Sequence, residues 1–407
     1  MNFRLISREC FIPSPAKGAW ANATTYYTER AGLRLMCLHA IETRSDTLDM
    51  AYLRFSDDNG RTWSGPSEWP TRFDAPSGTG RRHPRGGFVD PLTGGYVTLW
   101  TEGVLPTDRP TEGMRRWTLH YSVSQDGGRT TKLSEQITHD GPGYDAVHHL
   151  PGVTVGKNAV MIGDFGCRPL TRSDGVLLVP VQSSPTGPDG EYWNPRNALT
   201  YTDAMILMGR WRPDGRLAWT CSQRVKGDPA RTTRGLVEPT IAELAGGRML
   251  MVMRGSNHRA LELPGWRWHA LSSDGGQTWS EAAPWTFTDQ TPFHSPSSCS
   301  QLIPWRDGRL FWIGNICERN PAANAPRYPI VIAEVDRETG LLIRDSVRVI
   351  DDRQPGESEK LTLSNFYARE DRETGHLLLH LSRIFAHDFD PAGMDWTADA
   401  LLYRMSV

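Results

Sequence analysis

Residues 237–255, VEPTIAELAGGRMLMVMRG, put two charges at the ends of apolar runs that give neither a polar neighbour. Glu238 stands eight residues before a Gly-Gly turn centred near Gly246, and Arg254 stands eight after it. In an antiparallel hairpin those positions face each other at one strand end. An ion pair in apolar surroundings is costly unless its remaining bonds are met. The pair is therefore either a structural bridge or part of a site. A site reading has clear chemistry. The planar guanidinium fork grips a carboxylate through two parallel bonds, and a carboxylate beside it can assist proton transfer or a nucleophile.

Other segments offer the same kinds of group. TGRRHPRGGFVDPLTGG gathers Arg81, Arg82, His83 and Arg85 just before a strand. It reads as a solvated basic loop or as a second basic group for an anionic ligand, with His83 as acid or base. GYDAVHHLPG holds Tyr144, Asp145, His148 and His149. Adjacent histidines on a strand point to opposite faces, so at most one of them faces a site. Arg168 in FGCRPL precedes an apolar stretch, and RGSNHR adds His258 and Arg259 after Arg254. Tyr192 and Trp193, in a long loop, suit stacking on a sugar ring. No ligands recur at metal spacing, and neither a metal nor another cofactor is expected. Cys10, Cys37, Cys167, Cys221, Cys299 and Cys317 are scattered and read as reduced thiols.

The elements that must position these groups announce themselves by repetition. SDDNGRTW (56–63) and SSDGGQTW (272–279) share Ser-x-Asp-x-Gly-x-Thr-Trp, and SQDGGRTT (124–131) repeats it with Thr131 in place of Trp. The aspartates Asp58, Asp126 and Asp274 are separated by 68 and then 148 residues. A unit of roughly 65–75 residues, with one unrecognised copy, fits both gaps. Asp and Ser can bond backbone N–H groups in a tight turn, and Gly supplies positive φ. DPLTG (90–94) and DRETG (336–340 and 371–375) also divide short apolar runs, such as GYVTLW, VLLVPV and YPIVIAEV. Helical periodicity is almost absent. Such a chain predicts an all-β, six-bladed β-propeller of four-stranded antiparallel blades, one domain over residues 1–407. FRLISRECF near the N-terminus and ALLYRMSV at the C-terminus read as strands whose pairing closes the ring.

Charge and hydropathy exclude other classes. Lys plus Arg number 45 against 47 Asp plus Glu, which speaks against nucleic-acid and membrane-surface partners. No apolar run approaches the ~18 residues of a membrane span. The start, MNFRLISRECFIPSP, lacks the apolar core of a signal peptide. The chain as given is expected in the cytoplasm, or in the periplasm or outside the cell if a leader has been removed. Oligomeric state leaves no trace in the sequence.

The Ser-x-Asp-x-Gly-x-Thr-Trp copies resemble the Asp boxes, or BNR repeats, of the sialidase superfamily. EPTIAELAGGRMLMVMR resembles that superfamily's segment in which a Glu leads into one strand and an Arg ends the next. The resemblance spans residues 45 to 385. It implies a central funnel with three arginines on a sugar carboxylate, an Asp as acid, and a Tyr–Glu pair as nucleophile and its base. Glu238 matches the Glu, Arg254 the second arginine and Arg327 the third. Asp46, in the loop before the first Asp box, matches the acid, with Asp49 second. Two parts of the pattern are missing. GAWANATTYY replaces the motif that carries the first arginine, and Leu363 stands where the Tyr is expected, with Tyr367 and Tyr328 nearby.

Three functions follow from these readings. The leading one is a glycoside hydrolase that removes a terminal acidic sugar, of the sialic or uronic acid type, from a glycan. Its site would hold Glu238, Asp46, His83 and Tyr144 as catalytic groups. Arg254, Arg327, Arg85, Arg168, His148, His258 and Trp193 would contact the carbohydrate. The second is a lyase on the same scaffold, with His83, His148 or His149, and Tyr144 as acid and base. The third is a non-catalytic glycan-binding propeller.

Overall fold

A computed structural model describes residues 3–387 and 395–407. Twenty-six strands form six antiparallel sheets, interrupted only by three short 3-10 turns. Each sheet is a blade, and the blades follow one another in sequence around an axis. Blade I comprises Trp20–Tyr27, Leu35–Glu42, Met50–Ser56 and Ser67–Trp69. The inner strand of blade II is Gly78–Val89. In blade III the inner position is shared by two fragments, Val160–Met161 and Leu170–Thr171, both paired with Leu177–Ser183. Val237–Glu243, Gln301–Pro304 and Tyr367–Glu370 begin blades IV, V and VI.

The ring closes as the sequence predicts. Arg4–Ile12 pairs antiparallel with Ala400–Ser406 and completes blade VI. Blades II and III depart from the four-stranded expectation. Blade II gains Arg72–Ala75, folded back onto its inner strand, and blade III gains a strand because its inner position is broken in two.

The repeat motif has a fixed place. All three copies turn the chain from the third to the fourth strand of a blade: after Met50–Ser56, after Thr118–Ser124 and after Arg267–Ser272. In the first, Ser56 Oγ donates to Asp58 at 2.8 Å, and Asp58 accepts from the Thr62 amide at 2.9 Å and hydroxyl at 2.6 Å. These bonds hold the exposed Asp58 carboxylate down at about 2. The unrecognised copy is the tight turn RPDGR in blade III, between Asp203–Trp211 and Leu217–Cys221. It keeps Asp214 and Gly215 but not the Ser or Trp. Between blades lie apolar layers such as Val179, Val181, Leu207 and Trp219, all buried. The six cysteines are free, four of them buried, while Cys10 is exposed. No helix among the described residues is long and apolar enough to cross a membrane.

Candidate active site

Because strands alternate in direction, first strands start and second strands end on one face of the ring. The repeat turns occupy the opposite face. Glu238 opens the first strand of blade IV and Arg254 closes its second. They bond through Arg254 Nη1 to Glu238 Oε1 at 2.6 Å. The two are one position out of register, because Val237, not Glu238, is the register partner of Arg254. A bulge between Val237 and Thr240 explains the slip, and Glu238 takes φ +51° within it. The bulge turns the Glu238 amide onto Gln182 Oε1, at 2.7 Å, and swings its carboxylate inward. A Cβ on Gly163 would lie 2.4 Å from Glu238 Cγ, so this close approach needs a glycine. Glu238 Oε2 is buried and has no hydrogen-bond partner.

Three arginines converge here. Arg254 also donates to Ser297 Oγ at 2.8 Å and to Asn324 Oδ1 at 3.4 Å. Arg327 spends Nε and Nη2 on the Ser297 carbonyl, at 3.3 and 2.9 Å. Arg234 spends its Nε and Nη2 on Thr200 Oγ1, at 3.2 and 2.5 Å. Burial, and then the charge of Arg254, pull both Arg234 and Arg327 down to about 10. Glu238 and Asp46 work in the other direction on both. The cluster thus carries more cation than its own carboxylate neutralises, which is the electrostatic form of an anion site. Arg234 was invisible in DPARTTRG, where it resembles any loop arginine.

A second set of acids lines the same centre. Asp164 follows the first inner fragment of blade III. Its Oδ1 accepts its neighbour's amide, Phe165 N, at 2.7 Å, and its Oδ2 accepts from Asn365 Nδ2 at 3.1 Å. Burial, then the charge of Glu238, push the Asp164 carboxyl up to about 6, against the pull of Arg85. Glu42, at the end of the second strand of blade I, is buried. Desolvation first and Asp46 second raise it well above the usual carboxylate range. Sequence reasoning missed both acids. The one available signal for Asp164 was its place at the end of an apolar run, in VMIGDFG.

The remaining candidates divide by location. Asp46 sits exposed in the blade I loop at φ +55°, accepting from Ser45 Oγ at 2.6 Å, and its charge reaches Arg234, Arg327 and Glu42. Asp49 instead holds its own loop, accepting from the Thr43 amide and hydroxyl. Arg85 donates to the Ile162 carbonyl at 3.0 Å, beside Asp164. His83 is buried 5.0 Å from the Trp117 ring, and burial, then Arg85 and Arg81, drive it well below its ordinary value. Arg168 lies over the Tyr367 ring at 5.2 Å. His258 stands near Arg234, which with burial lowers its basicity. Trp193 is 38% exposed on the loop that supplies Thr200, its ring 5.1 Å from Tyr201.

Tyr144 and His148 are elsewhere. They stack with each other at 5.1 Å and Tyr144 packs on His139 at 4.5 Å, where His139 bridges to Trp219 in the outer part of blade III. His149 is wholly buried beside them. Among the described residues these groups share no hydrogen bond or ion pair with the arginine cluster.

The two missing parts of the pattern are filled by apolar side chains. Trp20 is buried opposite Glu42, packed with Ile384, Phe385 and Ala398. Leu363 is fully buried, its amide bonded to the Arg327 carbonyl at 3.0 Å. Tyr367 is buried against Tyr26 at 4.6 Å, and Tyr328 lies beneath the Arg353 guanidinium at 5.7 Å. Among the described residues, no group of three or more His, Cys, Asp or Glu is placed to hold a metal.

Comparison with known proteins agrees with this architecture. A protein of unknown function from Dyadobacter fermentans shares 13% identity over 100% of this chain and 99% of its own, with a TM-score of 0.61. The Hadza microbial sialidase Hz136 shares 15% identity over 95% of this chain and 65% of its own, with a TM-score of 0.58. The intramolecular trans-sialidase of Ruminococcus gnavus, solved with oseltamivir carboxylate, shares 13% identity over 98% and 97%, with a TM-score of 0.57. No match was found among curated proteins. Residues 153–359 match the BNR repeat-like domain, and with that match covering half its length, the chain belongs to the BNR repeat-like family on a sialidase-type propeller.

Proposed function

We propose that the protein is a glycoside hydrolase that removes a terminal acidic sugar from a glycan. The observation that carries this reading is the convergence of Arg234, Arg254 and Arg327 on Glu238, with Asp164 within reach of the Glu238 charge. A sugar carboxylate would replace solvent in the cluster and relieve the mutual repulsion of the guanidiniums. Asp46, exposed at the mouth, protonates the leaving oxygen, and Glu238 lies against the position of attack. Trp193 offers a face to the rest of the glycan. Support also comes from the Ruminococcus neighbour, whose bound ligand is named for its carboxylate.

The test is turnover of a panel of sialosides and uronide-capped oligosaccharides. The expected result is release of the terminal acidic sugar, lost in Arg254→Ala. Binding of the panel without turnover would instead make the protein a glycan-binding propeller. Formation of an unsaturated or keto product would make it a lyase.

A further inference from the structure

We infer that Asp164 is the general base of this site and that it activates water for direct displacement at the sugar, with inversion. The inference rests on the hydrolase reading above, and it follows from what occupies the nucleophile's place. The segment after Arg327 that faces the cluster carries Leu363, fully buried and tied to Arg327 through its amide. Two residues on, Asn365 takes φ +58° and donates to a carboxylate that arrives from the far side of the ring, Asp164 Oδ2, at 3.1 Å. Neighbouring Gly163 brings the same segment against Glu238. Asp164 therefore bridges from blade III to the stretch where a nucleophilic side chain is missing, and it lies within reach of the charge of Glu238, whose buried Oε2 has no partner.

The division of labour between the two acids follows from their surroundings. Glu238 already spends Oε1 on Arg254, at 2.6 Å, and so is tied into the arginine cluster. Asp164 has no guanidinium bonded to it. It is faced by Glu238 from blade IV, Arg85 from blade II and Cys299 from blade V, with Cys167 close by on its own blade and Glu42 from blade I. Burial and the Glu238 charge place its proton affinity near the working range of a base. In the reaction, a water oxygen bonds to the anomeric carbon as one of its protons passes to Asp164. The glycosidic C–O bond breaks, its electron pair goes to the leaving oxygen, and that oxygen takes the proton of Asp46. Solvent then returns the proton from Asp164 to Asp46. A carboxylate base acting on water gives inversion, where a nucleophile on the enzyme would give retention.

The experiment uses the full chain with 4-nitrophenyl sialosides and 4-nitrophenyl uronides, following the first-formed anomer by proton NMR. The expected result is the inverted anomer. Asp164→Asn should lower kcat about 10²–10⁴-fold with little change in KM, its thermal unfolding checked against the wild type. Azide added to Asp164→Ala should restore turnover and give the inverted glycosyl azide, an outcome a merely structural role for Asp164 would not produce. The retained anomer, a covalent fluorosugar adduct seen by intact mass, or wild-type kcat in Asp164→Asn would each overturn the inference while leaving the hydrolase reading standing. Absence of turnover by the wild type on every substrate would remove both.

Discussion

Two clusters of near-buried charge lie on the same face of the ring, and they are built on opposite plans. In blade VI, Arg383 bonds Asp351 Oδ2 and Glu357 Oε2 and donates to the Asp352 carbonyl. Tyr403 donates to the same Asp351 oxygen at 2.5 Å, and the Asp352 amide satisfies the other at 2.8 Å. Arg383 serves two anions, Arg8 adds a second cation 3.5 Å from Asp351, and each Asp351 oxygen has a donor. In the centre, three cations surround Glu238, two of them repel the third, and a buried carboxylate oxygen is left over. The first cluster is complete in itself. The second, on the proposed reading, is the one that an anionic sugar would complete. Charge that the fold leaves unsatisfied is the mark of a site.

Breaking each cluster should therefore cost different things. Arg383→Ala removes the cation shared by two carboxylates, leaving Asp351 to Arg8 and Tyr403 and Glu357 to the Gln354 amide, so urea unfolding should show a loss of about 3 kcal/mol, at the low end for breaking a buried pair, with kcat/KM per folded molecule unchanged. Arg254→Ala should reverse the balance: kcat/KM on acidic glycosides should fall about 10²–10³-fold, with a smaller change in the unfolding midpoint. Arg234→Met should sharpen the contrast further. Its guanidinium is held at about 10 against its neighbours, so folding disfavours that charge throughout the physiological range. Removing it should leave the melting temperature unchanged or raise it, while affinity for the sugar carboxylate falls about tenfold.

A further effect concerns pH. Asp164 has a folded value near 6, above its unfolded value of about 3.9. The protonated form is the one folding favours. Its contribution is thus fully present below about pH 4 and is lost as pH rises through about 6. Urea titrations should show about 2–3 kcal/mol of this dependence between pH 4 and 8, absent from Asp164→Asn. A flat wild-type profile would mean that Asp164 is not held as described.

What the sequence revealed was set by how local each feature is. The Asp boxes, the Gly-containing turns and the two terminal strands are local, and from them the six blades and their closure could be read. Glu238 and Arg254 were legible because one hairpin carries both, although the count missed the bulge, which needs Gln182 and Gly163 from blade III to form. Arg327 entered through its resemblance. Arg234, Asp164 and Glu42 stayed hidden because their partners belong to other blades, and nothing near them in sequence separates them from solvated residues. Tyr144, His148 and His149 looked like acid–base chemistry because of their types, but they lie in a loop, not on a strand, at the outside of blade III.

Closure of the ring has a consequence for how the chain is made. Arg4–Ile12 leaves the ribosome well before its partner, Ala400–Ser406, which follows about 400 residues later. Until then one strand and one blade edge stay unpaired, a surface open to wrong partners. Arg4, Arg8 and Glu9 project charge from that waiting strand, and most of its residues are exposed even in the finished ring. The strand that must wait for its partner is one whose residues already suit water.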